Sequence, residues 1–515
     1  MKAEDASKAC APASASQAGA ADKAADAFKA PAAASTLIVN ARLVDAGMDC
    51  TGSLLVAGGL IAGVFPDEVE YASGSLSGAE CVDKASAAFK TCGALSAAEC
   101  ASGSLSGASS TDEAVSAFKA AGGTVIDAHG LAVMPAFVDM HVHFRDPGQT
   151  QKEDIISGSD AAAAAGTGTV VLMPNTAPVV SSGELALANN KKAADTGKVR
   201  AIQVVSITRG FDGKDTTHID EALACYEKAR GTAESAFVPP VPVFSEDGKD
   251  VADEAVMRSA MKKIAAAGAI VSCHCEEPSL VPAARDLRSQ KKFAEAEKVL
   301  ADAENSCTER NIQIALETGC RIHIAHASTA VALEAVRRAK QSESGRALVT
   351  CEVTPHHLGL SQDMSGFESE LVNPPLRPEA DRKAVLAAIV DGTADVISTD
   401  HAPHTMQDKA DGACGFTGLE TAFAVCNETL VQSGLITLSK LSSLMSAKPA
   451  ELLGLKAGRL VPGYAADLVF ADCGQKWTVE PASFKSRGKY TPLAGKTLTG
   501  RIVKTLHAGK VVYEE

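Results

Sequence analysis

The 515-residue sequence predicts an α/β protein in which a (β/α)8, TIM-type barrel is inserted into a small β-sandwich domain formed by both chain ends. Three observations predict it. Eight short apolar, β-branched runs alternate with helix-like stretches in the middle of the chain, isolated β-like runs precede and follow that block, and His or Asp closes several of the eight runs. Parallel strands joined by crossover helices require such alternation, and reacting groups in these barrels collect where strands end.

Residues 1–34 form an Ala-rich, low-complexity extension with too few apolar positions to define a packed face. It has no Arg and carries Glu4, Asp5, Asp22 and Asp26, unlike the Arg-rich, acid-poor composition of a transit peptide. The small β domain is expected over residues 35–66, with Thr36 to Asn40 and Ser53 to Val56 as strands, and resumes over residues 120–134 and 455–515. Between its first two parts lies an insert, residues 67–119. There Ser-Gly-Ser-Leu-Ser-Gly-Ala occurs at Ser73 and again at Ser102, each copy leading to Ala-Phe-Lys, which predicts a surface helix pair.

The barrel is expected over residues 135–454. Its runs end at His141 and His143, then span Thr169 to Met173, Arg200 to Ser206, Phe237 to Phe244, Ala269 to His274, Arg321 to His326, Ala347 to Val353 and Ala394 to Thr399. Helices are expected at Ile155 to Ala165, Glu254 to Ala267, Ala330 to Lys340 and Glu379 to Val390.

A net charge of −14 and a pI near 5.4 argue against nucleic acid or an anionic membrane as partner and favour a small molecule. No run of 18 apolar residues and no hydrophobic signal core occur, which predicts a cytoplasmic protein. The 14 Cys are scattered and form no Cys-x-x-Cys pair, so free thiols are expected.

Residues at i and i+2 leave a strand on one face, so His141 and His143 point the same way, as two ligands of one metal ion must. The ends of runs four, five, six and eight add Asp247, His274, His326 and Asp400. Imidazole and carboxylate ligands suit Zn²⁺, and a carboxylate can bridge two ions. A bound divalent ion lowers the pKa of water to roughly 7, which makes hydrolysis accessible at neutral pH, with Asp400 placed to transfer the proton. Arg145, Asn175, Asn373 and His404 stand on the same rim and offer donors to an anionic cyclic amide. His323 faces away from His326, His129, His218 and His507 lie outside strand ends, and His356 and His357 read as structural.

Taken together, the stretch His141 to Gly148, Met173-Pro174-Asn175-Thr176, Phe244 to Gly248, Thr354 to Leu358, Asn373 to Arg377 and Thr399 to His404 resembles the class I dihydroorotases of the amidohydrolase superfamily. The resemblance covers roughly residues 36–66 and 120–515. It implies one or two zinc ions held by His141, His143, Asp247, His274, His326 and Asp400, with Asp247 bridging and Asp400 catalytic. It further implies substrate binding by His143, Arg145, Asn175, Asn373 and His404, with the backbone at Cys414 and Gly415 closing over a pyrimidine ring. Asp146 stands where Glu is frequent in the family, and Cys414 where a bulkier Phe is usual.

The implied reaction is reversible hydrolysis of dihydroorotate to carbamoyl-aspartate in pyrimidine biosynthesis, carried out by a homo-oligomer. Two alternatives stand beside it. Allantoinases and dihydropyrimidinases share the barrel and His-x-His but usually bridge their metals with a carboxylated Lys on strand four, where this chain has Asp247 and no preceding Lys. A non-catalytic scaffold for aspartate transcarbamoylase would typically lose ligands, and this chain has them all.

Overall fold

The computed structural model describes residues 35–67, 69–71, 74–76, 111–364, 366–367 and 370–515. The Ala-rich extension and most of the duplicated insert lie outside the described residues.

Strands β1 (Ser35–Asp45), β2 (Met48–Ala57) and β3 (Leu60–Pro66) pair antiparallel in sequence order. A hairpin of β4 (Val69–Tyr71) and β5 (Gly74–Leu76) follows, so the described part of the first duplicated copy is a strand rather than a helix. The second copy leads into a helix, Thr111–Ala120, whose Phe118 packs on Leu37, Val39 and Leu55. Burial of that ring docks the insert's end onto the sheet.

Strands β6 (Thr124–Asp127) and β7 (Ala132–Pro135) both pair parallel with β1. After Pro135 and Ala136 the chain enters β8 (Phe137–Val142), the first barrel strand. The barrel continues with β9 (Thr167–Leu172), β10 (Arg200–Gln203), β11 (Val205–Ser206), β12 (Val243–Ser245), β13 (Ile270–Cys273), β14 (Arg321–Ile324), β15 (Val349–Val353) and β16 (Val396–Ile397), all in parallel register. β10 and β11 are one barrel strand broken at Val204, which leaves eight staves. Closure between the last and the first runs through the Val142–His401 bridge, His143 N donating to His401 O (2.8 Å) and Met140 N donating to Ser398 Oγ (3.2 Å).

Inside the barrel Val138, Met140, Val171, Ile202, Val243, Ile270 and Val396 meet Leu452, Leu453 and Leu455, which belong to the chain leaving the barrel. Because that floor is filled with apolar side chains, polar groups are left for the opposite, C-terminal end. The chain then returns to the β domain as β17 (Leu468–Thr478), β18 (Thr497–His507) and β19 (Lys510–Glu514), giving the sheet order β19-β18-β17-β7-β1-β2-β3. Ile38, Leu43, Leu54, Ile61, Val133, Phe470 and Leu506 form its core.

Four expected barrel helices are observed as Ile155–Ala164, Glu254–Ala266, Ala330–Ala339 and Glu379–Asp391. Run four differs. Pro239, Pro240 and Pro242 lack the N–H a ladder needs, so residues 238–242, which follow a 3-10 turn (Ala233–Phe237), are irregular and only Val243–Ser245 is strand. Run seven loses its start to the helix Glu343–Leu348.

Candidate metal centre

The barrel places each strand's last side chains at one end, and there the His and Asp residues converge. His141 ends β8. Its Nδ1 lies 2.9 Å from Glu352 Oε1 on β15, and because a carboxylate only accepts, the ring donates there, so that Nε2 is the nitrogen that carries the lone pair whenever the ring is neutral. That Nε2 is buried without a directed hydrogen bond, 3.3 Å from Asp247 Oδ1 and 3.7 Å from Asp400 Oδ1. His143 is arranged alike: Nδ1 meets Asn175 Oδ1 at 2.9 Å, while Nε2 lies 3.1 Å from Asp400 Oδ1 and 3.6 Å from Asp247 Oδ2. Two imidazoles thus present Nε2 atoms to two carboxylates.

The donor atoms fall into two overlapping groups, His141, His143 and Asp400, and His141, Asp247 and His326, every member buried and all atoms of a group within 4.8 Å of one another. His274 stands beside the second group, with Nδ1 2.9 Å from His326 Nε2 and 3.5 Å from Asp247 Oδ1. Its Nε2 lies 3.1 Å from the Asn373 amide nitrogen, which also donates to Glu276 Oε1 at 3.1 Å. Burial opposes charge on Asp247, but His141, His274 and His143 hold it well below the usual carboxylate range. Burial likewise opposes charge on His141, and Asp247 and Glu352 overcome it and raise the ring well above the usual histidine range. His326 is pushed down to about 4 by burial and by the neighbouring imidazoles. A buried cluster of two carboxylates and four imidazoles calls for positive charge at its centre, and its N/O donor set suits one or two divalent ions.

Arg145, His326 and Asp400 all have left-handed φ, 57°, 35° and 49°. Such conformations are costly for non-Gly residues and persist where the surrounding structure over-determines them.

Arg145 reaches the rim beside His404. Its Nε donates to Pro403 O at 3.4 Å, and among the described residues no carboxylate lies within ion-pair distance of it. Burial lowers its pKa to about 10, partly offset by the fields of Asp400 and Asp247, so the guanidinium stays charged. His404 Nε2 lies 2.8 Å from Cys414 O and 3.3 Å from Arg145 Nη2. Burial, then Arg145 and Lys152, push His404 down to about 3, which makes it a neutral imidazole at physiological pH. Lys409 Nζ donates to the carbonyls of Leu371, Ala413 and Gly415, drawing the loop at Cys414 and Gly415 inward. Gly415 needs its φ of 111°, and a Cβ there would stand 2.7 Å from Ala402 Cβ.

The remaining histidines fall elsewhere. His129 is exposed, His218 Nε2 bonds Ser206 O at 2.8 Å, and His507 Nδ1 meets Asp467 Oδ1 at 2.9 Å. The His357 ring meets Thr354 Oγ1 at 2.8 Å, the N-cap of its own short helix, and reaches Pro375 O, and His356 stacks edge-on against Phe416. His323 faces away from the ligands, yet its Nε2 lies 3.1 Å from Glu352 Oε2. Glu352 and Glu276 are the residues that sequence reasoning missed. A Glu within the apolar run Val349-Thr350-Cys351-Glu352-Val353 was the available signal, since a buried carboxylate must find donors.

Residues 132–512 match the sequence profile of the Amidohydrolase family. Relatives named dihydroorotase include those of Clostridium botulinum, 36% identical over 391 residues (76% of this chain, 90% of the relative), and Anaeromyxobacter dehalogenans, 39% identical over 405 residues (76% and 88%). Among solved structures, the L-hydantoinase (dihydropyrimidinase) of Arthrobacter aurescens superposes with a TM-score of 0.73 at 23% identity, covering 93% of this chain and 96% of that one. The dihydropyrimidinase of Brevibacillus agri gives 0.70 at 18% identity, covering 93% and 95%. Barrel, flanking β domain and a buried His/Asp cluster at the strand ends therefore agree with the sequence comparison: the chain belongs to the amidohydrolase family and is a cyclic-amide hydrolase.

Proposed function

We propose that this enzyme is a dihydroorotase, a zinc enzyme that interconverts dihydroorotate and N-carbamoyl-L-aspartate in pyrimidine biosynthesis. One observation carries the reading beyond the family: Arg145, a buried guanidinium with no carboxylate partner among the described residues, stands at the rim of the His/Asp cluster. A planar, two-pronged cation in that position suits a ring bearing a carboxylate, which hydantoin and dihydrouracil lack. Relatives at 36–39% identity that carry the name dihydroorotase support it.

Zinc held by His141, His143, Asp247, His274, His326 and Asp400 would supply water of lowered pKa and polarise the scissile carbonyl. The protein's residues do the rest. Asp400 takes a proton from the attacking water and returns it to the ring nitrogen as the C–N bond breaks, the reverse order applying to ring closure. Arg145 binds the substrate carboxylate, and neutral His404 exchanges hydrogen bonds with the ring without adding charge. Asn175 and Asn373 offer amides from opposite sides, each already held by a ligand residue, and the backbone at Cys414 and Gly415 limits access of bulk water.

The test is Arg145→Lys, which keeps the charge and removes the fork. For dihydroorotate the specificity constant should fall by roughly 2–4 kcal/mol in transition-state stabilisation, with zinc content unchanged. For dihydrouracil, however slowly it is processed, the substitution should change nothing. Equal losses for both substrates would make Arg145 a structural residue.

A further inference from the structure

We infer that Glu352, which touches no substrate atom in this reading, is a positioning residue that sets the ligating face of His141 and ties it to His326. Its carboxylate is fully buried at 0% exposure on β15, in the stave between those that carry His326 and Asp400. Three N–H donors converge on it. Oε1 accepts from His141 Nδ1 at 2.9 Å and from the backbone N of His326 at 3.3 Å, and Oε2 accepts from His323 Nε2 at 3.1 Å. His323 Nδ1 in turn meets Thr350 Oγ1 at 2.9 Å, so the second oxygen is itself anchored to β15.

This arrangement has two consequences. Donation from Nδ1 makes Nε2 the lone-pair nitrogen of the neutral ring, and that atom lies beside Asp247 and Asp400 with no hydrogen bond of its own among the described residues. A charged acceptor also makes the imidazole a stronger base and hence a better ligand, and fixes its ring plane. The same oxygen holds the backbone of His326, whose φ of 35° needs an external restraint. One carboxylate thereby fixes the spacing of ligands that come from staves with two others between them, β8 and the end of β14. The hydrogen bonds of the two oxygens go to His141, His323 and the His326 backbone, which places the role of Glu352 at the metal centre.

The inference rests on the metal-centre reading and not on the identity of the substrate. Glu352→Gln is nearly isosteric and removes the charge. Full-length wild type and variant, stripped and reloaded, are compared for Zn²⁺ affinity against a competing chelator and for the visible absorption of the Co²⁺-loaded protein. Affinity should fall by about 10- to 100-fold and the Co²⁺ bands should shift, while turnover at saturating metal recovers part of its loss. Should Glu352→Gln not accumulate as folded protein, Glu352→Asp, whose shorter side chain cannot reach both rings, is read in the same way. Wild-type affinity together with an unchanged Co²⁺ spectrum in the variant that folds would overturn the role of Glu352. A wild-type chain that binds neither ion would instead overturn the metal-centre reading beneath it.

Discussion

His141 shows how a single residue earns its place. The strand aims it, Glu352 sets its tautomer, and the two carboxylates opposite its Nε2 define what it can bind. Removing such a ligand leaves buried charge without a counterion, so His141→Ala and His326→Ala should each lose metal and turnover together. Metal analysis of the folded protein checks this, and near-normal activity with metal retained would refute the assignment. The buried His and Asp residues of the cluster were legible in the sequence because they stand at or just beyond the ends of apolar runs, where strand alternation and barrel geometry dictate direction. Glu352 was not. It sits 211 positions from His141, and nothing local reveals that two rings and a backbone N–H will converge on it.

At the scale of the element, the stretch Asn373 to Arg377 joins site to scaffold. Asn373 presents its amide to His274, while Arg377, 3% exposed, donates to Glu304 Oε2 (2.9 Å), Ser328 Oγ (2.9 Å) and Glu297 O (3.0 Å). Glu304 also accepts the backbone N–H groups of Ser328 and Thr329, just beyond His326, so one buried pair clamps the long helix Phe293–Thr318 to two active-site loops. Breaking it from one side leaves an uncompensated charge. Arg377→Ala should cost about 3–5 kcal/mol in denaturant unfolding, whereas replacing both partners by Leu should recover much of that. If the single variant is as stable as wild type, the clamp is not structural. Elements with a clear period were legible, such as Ala330–Ala339. Strand four is shorter than its apolar run, because three prolines within that run cannot donate to a ladder.

In the whole molecule, the β domain is more than a support for the barrel. The connection between β17 and β18 runs back across the barrel's active face: Thr417 N donates to Tyr490 O (2.9 Å), and Arg487 N donates to Glu153 (3.1 Å), whose other oxygen lies 3.5 Å from His401 Nε2, next to Asp400. Glu420 fastens the same segment by accepting from Lys485 N and Ser486 N, both at 3.0 Å. Burial pushes the Glu420 carboxyl up to about 7, against those two hydrogen bonds. The folded state therefore keeps this proton longer than the unfolded chain. Its contribution to stability is fully present below the ordinary Glu range, near pH 4, and is lost as pH rises toward 7. Relative to Glu420→Gln, wild type should lose on the order of 3 kcal/mol between pH 4.5 and pH 7.5. Parallel stability curves for the two proteins would show that Glu420 does not titrate in that window. This crossing was not legible in sequence, because residues 479–496 contain no periodic pattern and their partners lie on the barrel.

The central claim joins a metal centre to an anionic ring. Its most direct test is steady-state turnover of dihydroorotate, hydantoin and allantoin by the full-length protein, with zinc counted on the same sample. One or two zinc ions per chain are expected, with a specificity constant for dihydroorotate on the order of 100-fold or more above the other two, lost when the metal is chelated. Faster turnover of hydantoin or allantoin, or dihydroorotate turnover that survives complete removal of metal, would contradict it.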